Sequence, residues 1–243
     1  MLDLLLTLLK IVSVIAVVML HVAYAVYFER KVIGHMQARM GPMRVGWHGL
    51  LQPIADFVKL FFKEDIIPAN SDKPIFYFAP VIGVIAAFSS FAVIPFWNAF
   101  SIADLNIGIL FILALSSLGT FSIILAGWAS NSKYSFLGGL RSSAQVISYE
   151  IAMGLSLVSI MMFAGSANLS EIVEAQTQGW FILEGTHLVA FFVFLMAAVA
   201  ETNRTPFDLP EAETELVAGY ATEYSGIRFG LFFMAEYAGM FVM

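Results

Sequence analysis

Cysteine is absent from the 243-residue chain. Disulfide bonds are therefore excluded, and so is an iron–sulfur cluster held by cysteine thiolates of this chain. Any electrons that take part in redox chemistry would have to come from another polypeptide. Metal-ligand spacing is missing too, because His35, His48 and His187 are not arranged as a metal-binding set. The glycines between residues 34 and 49 follow no phosphate-binding pattern, so we expect neither a metal site nor a nucleotide site.

Charged residues are also scarce. They make up 12% of the chain, whereas 60% of its residues are hydrophobic and its mean hydropathy is +0.85. Soluble domains usually contain about 25% charged residues. No basic run with interleaved aromatic residues occurs, so a nucleic-acid partner is not expected. The composition predicts an all-α polytopic membrane protein.

About six apolar segments are long enough, or nearly so, to cross a hydrocarbon core about 30 Å thick. We predict these spans at residues 4–28, 75–97, 107–128, 142–164, 185–200 and 228–243. The last span is incomplete, and we treat residues 1–243 as a single membrane domain.

Lysine and arginine are unevenly distributed between the loops that join these spans. They occur in the loops after the first, third and fifth spans and are absent from the loops after the second and fourth. By the positive-inside rule, the loops with cations face the cytoplasm or matrix, and the N-terminus faces the opposite side.

The long loop at residues 29–74 contains an amphipathic helix, predicted over residues 50–62. Ile54 and Phe61 fall on its apolar face, and Asp56 falls on its polar face. Such a helix can lie along the cytoplasmic surface of the membrane with its apolar face down. It could also pack against another subunit, and both arrangements can hold together.

The most unusual stretch is an acidic loop, residues 201–227, between two apolar spans. Pro206 and Pro210 stiffen its backbone, and Phe207 and Leu209 suggest partial burial. Carboxylates crowded in a low-dielectric place cannot all ionise, so some of their pKa values should rise and their titrations should couple. Such a string could carry protons, and the alternative is a solvated acidic loop. Its acids are Glu201, Asp208, Glu211, Glu213, Glu215 and Glu223.

Two further acids, Glu150 and Glu236, lie about two turns inside apolar helices. A charged carboxylate at the centre of a membrane helix costs roughly 2.5–3.5 kcal/mol on insertion scales. We therefore interpret both as protonatable relay groups. The alternative is a structural acid that is hydrogen-bonded to a neighbouring helix. Gly154 and Gly239 lie close to them in sequence and favour close helix approach or access of water.

Two motif blocks carry a resemblance to a known family. The first is Glu29-Arg-Lys-x-x-Gly, followed by Gln37-x-Arg-x-Gly-Pro and by Gly49-Leu-Leu-Gln-Pro-x-Ala-Asp-x-x-Lys-Leu. The second is ETNRTPFDLPEAETELVAGYATEYSG, from Glu201, followed by FFMAEY. Together they resemble the quinone-site membrane subunit of respiratory complex I, the NADH:quinone oxidoreductase.

The resemblance implies a membrane subunit of this oxidoreductase that is not catalytic alone. It supplies a quinone tunnel and a carboxylate path that couples quinone reduction to proton translocation. The residues expected at the tunnel are Glu29, Arg30, Gln37, Arg39, Asp56, Lys59, Phe229, Phe232 and Phe233. The proton path is expected to use Glu150, Glu201, Asp208, Glu211, Glu213, Glu215, Glu223 and Glu236.

The resemblance also implies substrate, partners and location. Ubiquinone or menaquinone would be the substrate, and this chain would bind no iron–sulfur cluster or flavin. Partners would be the iron–sulfur subunit with the terminal cluster, the peripheral subunit that meets the quinone head group, small membrane subunits and the lipid bilayer. The location would be the bacterial plasma membrane, or the mitochondrial inner membrane. The family usually has eight spans, so we expect this chain to be truncated at its C-terminus.

Two alternatives stay open at this point. One is the homologous ion-translocating subunit of a membrane-bound hydrogenase or formate-hydrogen-lyase complex. The other is a stand-alone ion-coupled transporter, which Glu150 and Glu236 would also fit. The complete motif blocks favour the quinone enzyme over the first. The surface helix and the long cytoplasmic loops suit docking of soluble subunits and disfavour the second.

Overall fold

The computed structural model describes residues 2–96, 100–208 and 217–243, which contain helices and no strand. The helices are α1 (Leu2–Met36), α2 (Gln52–Phe62), α3 (Lys73–Ser90), α4 (Gly108–Ala129), α5 (Lys133–Ala164), α6 (Leu169–Ala175), α7 (His187–Glu201) and α8 (Gly226–Val242). Short 3₁₀ turns lie at Trp47–Gly49, Gln176–Gln178, Phe181–Leu183 and Gly219–Ala221. Helices α1, α3, α4 and α5 are long and apolar enough to cross a membrane, and α7 is a shorter apolar helix. The predicted all-α polytopic membrane fold is confirmed.

Two helices extend well beyond the apolar segments that predicted them. Helix α1 continues past residue 28 to Met36, and α5 begins at Lys133, before the predicted start at residue 142. Hydropathy locates only the part of a helix that suits hydrocarbon, whereas backbone hydrogen bonding continues into polar sequence. Helix α3 ends earlier than predicted, at Ser90, and residues 97–99 lie outside the described residues.

A short helix, α6, lies in the segment between α5 and α7 that hydropathy marks only as a loop. Asn168 caps it, since its side-chain oxygen accepts a hydrogen bond from the Ser170 backbone N–H at 2.8 Å. Asn168 also donates to Asp104 at 2.8 Å. These bonds satisfy the free N–H groups of the first turn and tie this segment to the loop before α4.

Helices α3, α4 and α5 pack side by side, with α7 against α5 and α8 against α3. Small residues allow the closest approaches. A Cβ added to Gly138 on α5 would lie 2.6 Å from the backbone of Gly219, so only glycine fits there. The turn at Gly219 continues into the core, where the rings of Phe76 and Tyr224 stack with centroids 4.0 Å apart. The segment that follows the acidic residues is therefore packed inside the bundle.

Helix α1 lies at the edge of the bundle. Val14, Val18 and Val22 form a buried stripe with the four-residue spacing of one helix face, and they pack with Tyr237 and Ala238 of α8. Most of its other apolar side chains are exposed. That distribution suits a helix whose outer surface meets lipid.

Candidate functional site: a buried carboxylate series

Two acids lie on either side of α4 and are held by consecutive serines of that helix. The Ser116 hydroxyl donates a hydrogen bond to Glu201 at the end of α7. The Ser117 hydroxyl donates to Glu150 of α5. Since successive residues point about 100° apart around a helix, the two serines serve acids on different neighbouring helices. The long separation in sequence between Glu201 and Glu150 therefore becomes a short one in the fold.

A second group of acids surrounds Arg204, the basic residue that follows α7. Its guanidinium forms ion pairs with Glu29 of α1 at 2.8 Å and with Glu236 of α8 at 3.3 Å. It also lies over the ring of Tyr237, 4.6 Å from the centroid. Tyr237 in turn donates a hydrogen bond from its hydroxyl to Glu29. One cation thus joins α1, α8 and the start of the acidic loop.

The charge of Arg204 is secure in this setting. Burial by itself would lower the pKa of its guanidinium, but the hydrogen bond with Tyr237 and the nearby carboxylates of Glu236 and Glu29 more than offset it, and the pKa is raised above its ordinary value. Arg204 therefore balances part of the negative charge of two acids that the bundle takes away from water.

A cavity of about 140 Å³ connects the two groups of acids. Its wall includes Glu201 and Ser116 on one side and Glu236 on the other, with Thr120 and Asn203 between apolar side chains. Since a water molecule occupies about 30 Å³ in the liquid, a space of this size has room for several waters. Carboxyl groups at opposite walls of one small polar space can exchange protons through such waters.

The backbone just after α7 is anchored by Gln145 of α5. Its side-chain amide donates to the carbonyl oxygens of Ala200 and Phe207, each at 2.8 Å, and lies 3.3 Å from the side-chain oxygen of Asn203. The Phe207 ring also packs edge-to-face against Tyr149, with centroids 5.2 Å apart. The start of the acidic loop is therefore fixed against the bundle by hydrogen bonds that a solvated loop would not make.

The predicted tunnel residues of the first loop lie at the junction of α1 and α2. Arg30 forms an ion pair with Asp56, and Gln52 donates to the same carboxylate at 3.0 Å. The polar face of α2 is thereby turned toward α1. Its apolar face is exposed, at Ile54, Phe57, Val58, Phe61 and Phe62. An exposed apolar face of this kind marks a surface that meets lipid, a ligand or a partner.

The remaining predicted tunnel residues do not gather at one place. Gln37 and Arg39 are exposed and hydrogen-bond each other at 2.7 Å, and Lys59 is exposed. On α8, Phe229 and Phe233 stack along one face with centroids 6.3 Å apart. Phe232 points the other way, where it is buried against Tyr220 and Tyr224 and borders the cavity.

Some of the predicted acids lie outside the described residues, namely Glu211, Glu213 and Glu215. Asp208 is exposed, and Glu223 is half-buried on the short segment before α8. Within residues 2–96, 100–208 and 217–243, no three His, Asp or Glu side chains converge as a metal site. The acids that the described structure brings together are Glu29, Glu150, Glu201 and Glu236.

Sequence reasoning missed the groups that hold these acids. Ser116 and Ser117 are a polar pair in the middle of an apolar span, and polar residues at membrane depth are a signal that could have found them. Gln145 stands out for the same reason. Tyr237 gives no such signal, because its role depends on where α1 lies in the fold.

Another ion pair that sequence reasoning missed connects the end of the first long loop to α8. Arg228 is buried and pairs with Asp65 at 2.9 Å, and its guanidinium lies over the ring of Tyr77, 3.9 Å from the centroid. Nearby, Ser225 accepts a hydrogen bond from the Ile66 backbone N–H at 2.9 Å. These contacts fix the exit of α2 against the start of α8.

Comparisons with known proteins agree along nearly the whole chain. A family model described as NADH dehydrogenase matches residues 9–243. In each of the following relatives, the matching protein is named as the NADH-quinone oxidoreductase subunit designated H. The second such protein of Geobacter metallireducens is 54% identical over 253 residues, which cover 96% of this chain and 72% of that protein. The one of Paramagnetospirillum magneticum is 52% identical over 240 residues, 99% of this chain and 70% of that protein. The one of Rickettsia peacockii is 56% identical over 236 residues, 97% of this chain and 69% of that protein.

Proposed function

The chain belongs to the NADH dehydrogenase family, as its two motif blocks predict, and on that premise we propose that it is the membrane subunit of an NADH:quinone oxidoreductase in which quinone reduction is coupled to proton translocation. The carboxylate series carries this proposal. It runs from Glu29 and Glu236 at Arg204, across the cavity, to Glu201 and then Glu150. Four acids at membrane depth are too costly to keep for packing alone, and they suit a proton path.

The chain contributes no reductant to this reaction. It lacks cysteine, so a cysteine-held cluster that delivers electrons to quinone would have to belong to a partner subunit. Partners of this kind are the other subunits of the oxidoreductase, including the one with the terminal iron–sulfur cluster. The role of this chain is to admit the quinone and to respond to its reduction through the charges of the acidic loop.

The quinone portal is proposed at the junction of α1, α2 and α8. A quinone has an apolar tail and a polar head, so its path should lead from lipid to charged groups. The exposed apolar face of α2 and the Phe229–Phe233 stack of α8 would meet the tail. The Arg30–Asp56 pair would lie at the charged rim. Helix α2 packs on α8, where Leu60 lies against Gly230, so these surfaces are continuous.

The portal is tested by photo-crosslinking. A quinone with a photoreactive group on its tail, added to the intact complex in membranes, is expected to label peptides from α2 and from the first turns of α8. An excess of ordinary quinone should prevent the labelling. Labelling confined to α5 and α6, or labelling that quinone does not compete, would refute the portal.

The proton path is tested with the complex reconstituted in proteoliposomes. Replacing Glu150 by Gln keeps its size and its hydrogen bonding but removes the titratable group, so we expect quinone-coupled proton translocation to fall steeply. The matched control is Glu174→Gln, which changes an exposed acid of α6 and should leave translocation unchanged. Unchanged translocation in Glu150→Gln would show that Glu150 is not on the path.

The proposed orientation places the acidic loop and α2 on the side where the soluble subunits dock. The absence of native cysteine allows a direct test with single cysteines. Lys133→Cys, at the exposed start of α5, should react with an impermeant thiol reagent from the docking side. Glu174→Cys should react only from the other side. Labelling of both from one side would contradict the orientation.

A further inference from the structure

The proposed path leaves a gap between Glu150 and the cavity that only hydroxyl groups of α4 occupy among the described contacts. Ser117 donates to Glu150, and Ser116 donates to Glu201. A serine hydroxyl can donate one hydrogen bond and accept two, so it can take up a proton on one side while it releases one on the other. Carboxylates have no such property when they are ionised, because they only accept.

The Ser117 hydroxyl has a second acceptor within reach. The carbonyl oxygen of Leu113, one turn earlier on the same helix, lies 3.2 Å away. The hydroxyl can therefore rotate between Glu150 and its own helix without losing a hydrogen bond. A group that carries a proton needs such an alternative, since it must turn after each transfer to be ready for the next.

Thr120 extends the row of hydroxyls by one turn beyond Ser116. Its side-chain oxygen is buried and has no hydrogen-bond partner among the described residues, and neither has the second carboxyl oxygen of Glu201. Both residues border the cavity that also reaches Glu236. Buried polar atoms are nearly always satisfied by protein or by water. Two unsatisfied atoms on one wall of a cavity large enough for water indicate that water bridges them.

We propose that Ser117, Ser116 and Thr120 form a hydroxyl relay that carries protons between Glu150 and the water-filled cavity bordered by Glu201 and Glu236. The inference rests on the proposed function, and it assigns the groups that carry the proton between the acids. Each hydroxyl oxygen bonds the incoming proton as its own O–H bond breaks toward the next acceptor. The hydroxyls end unchanged, and one proton has moved from one carboxyl group to the next carboxylate.

The test uses the whole complex in proteoliposomes, with turnover, protons translocated per electron and the solvent deuterium isotope effect measured separately. In the double variant Ser116→Ala and Ser117→Ala, we expect coupled turnover to fall at least ~10-fold, since positioned proton-transfer groups contribute roughly 10²–10⁴-fold to the steps they serve. The isotope effect should rise, because proton transfer becomes rate-limiting. Replacing the same two serines by threonine keeps the hydroxyls and should restore both readouts.

A matched control is Ser156→Ala on α5. Ser156 is also buried, and its hydroxyl donates only to the carbonyl of Met153 at 2.7 Å among the described contacts. Its loss removes a buried hydrogen bond without touching the relay, so the isotope effect should stay at the parental value. Thr120→Val, which is nearly isosteric, provides a second relay variant if the double alanine variant fails to assemble.

Two results would overturn the relay. One is parental turnover and isotope effect in the alanine variants, or in Thr120→Val where the double variant does not assemble. The other is an equal loss in the alanine and threonine variants, which would show that side-chain shape matters and not the hydroxyl. The proposed function fails separately, if Glu150→Gln and Glu201→Gln translocate protons normally. If those acids are needed and the hydroxyls are not, only the relay is wrong.

Discussion

Gln145 provides a sharp test of how the acidic loop is held, because one side chain anchors its first residues. The change Gln145→Leu keeps the size of the side chain and removes both N–H donors. The carbonyl oxygens of Ala200 and Phe207 then lose partners at 2.8 Å. At a net value of about 1 kcal/mol for each hydrogen bond, the anchored form loses about 2 kcal/mol. Local opening of the segment should become roughly 30-fold more frequent.

Hydrogen–deuterium exchange of the complex, followed by mass spectrometry, measures this opening. Peptides that cover residues 202–208 should exchange roughly 30-fold faster in Gln145→Leu than in the parent. The matched control is Gln176→Leu, which removes a hydrogen bond from Gln176 to Ile172 of its own turn region at 3.3 Å. That control should leave residues 202–208 unchanged. Equal exchange in parent and Gln145→Leu, or faster exchange throughout the chain, would refute the reasoning.

Two further predictions concern stability, measured by detergent-induced unfolding in mixed micelles. Gly138→Ala should lower the free energy of unfolding by about 1–3 kcal/mol, because the new Cβ would lie 2.6 Å from the backbone of Gly219. Gly119→Ala has open space at its Cβ and should instead be neutral or stabilising by up to ~1 kcal/mol; the opposite order would contradict the packing. Arg204→Met should cost about 2 kcal/mol, toward the low side because the side chain is 31% exposed. Combining it with Glu236→Gln should recover part of that loss, and strict additivity would rule out the pair.

Much of the architecture was accessible from the sequence, and the reason is the solvent. A bilayer requires each crossing segment to satisfy its own backbone hydrogen bonds, so length and hydropathy alone locate α3, α4 and α5. Their ends were less accurate. Helix α5 begins at Lys133, since helix formation does not stop where hydrocarbon does. The short helix α6 depends on the cap at Asn168, which hydropathy does not detect.

The candidate site was predictable in its acids and not in its connections. Glu150 and Glu236 could be selected because an ionisable group inside an apolar helix is costly. The partners of those acids come from elsewhere in the chain. Glu236 pairs with Arg204, and Glu150 bonds to Ser117, 33 residues away. No periodicity or local motif specifies contacts between separate helices.

The sequence by itself determined that the chain is an all-helical membrane protein, where its spans lie and which acids are out of place in them. These properties follow from the transfer of each residue from water to hydrocarbon, which is a local quantity. Only the tertiary structure decided that Arg204 joins Glu29 to Glu236, and that α4 presents Ser116 and Ser117 to acids on two other helices. Those contacts depend on which helix faces pack together, and the free energy of that packing is shared among many distant residues.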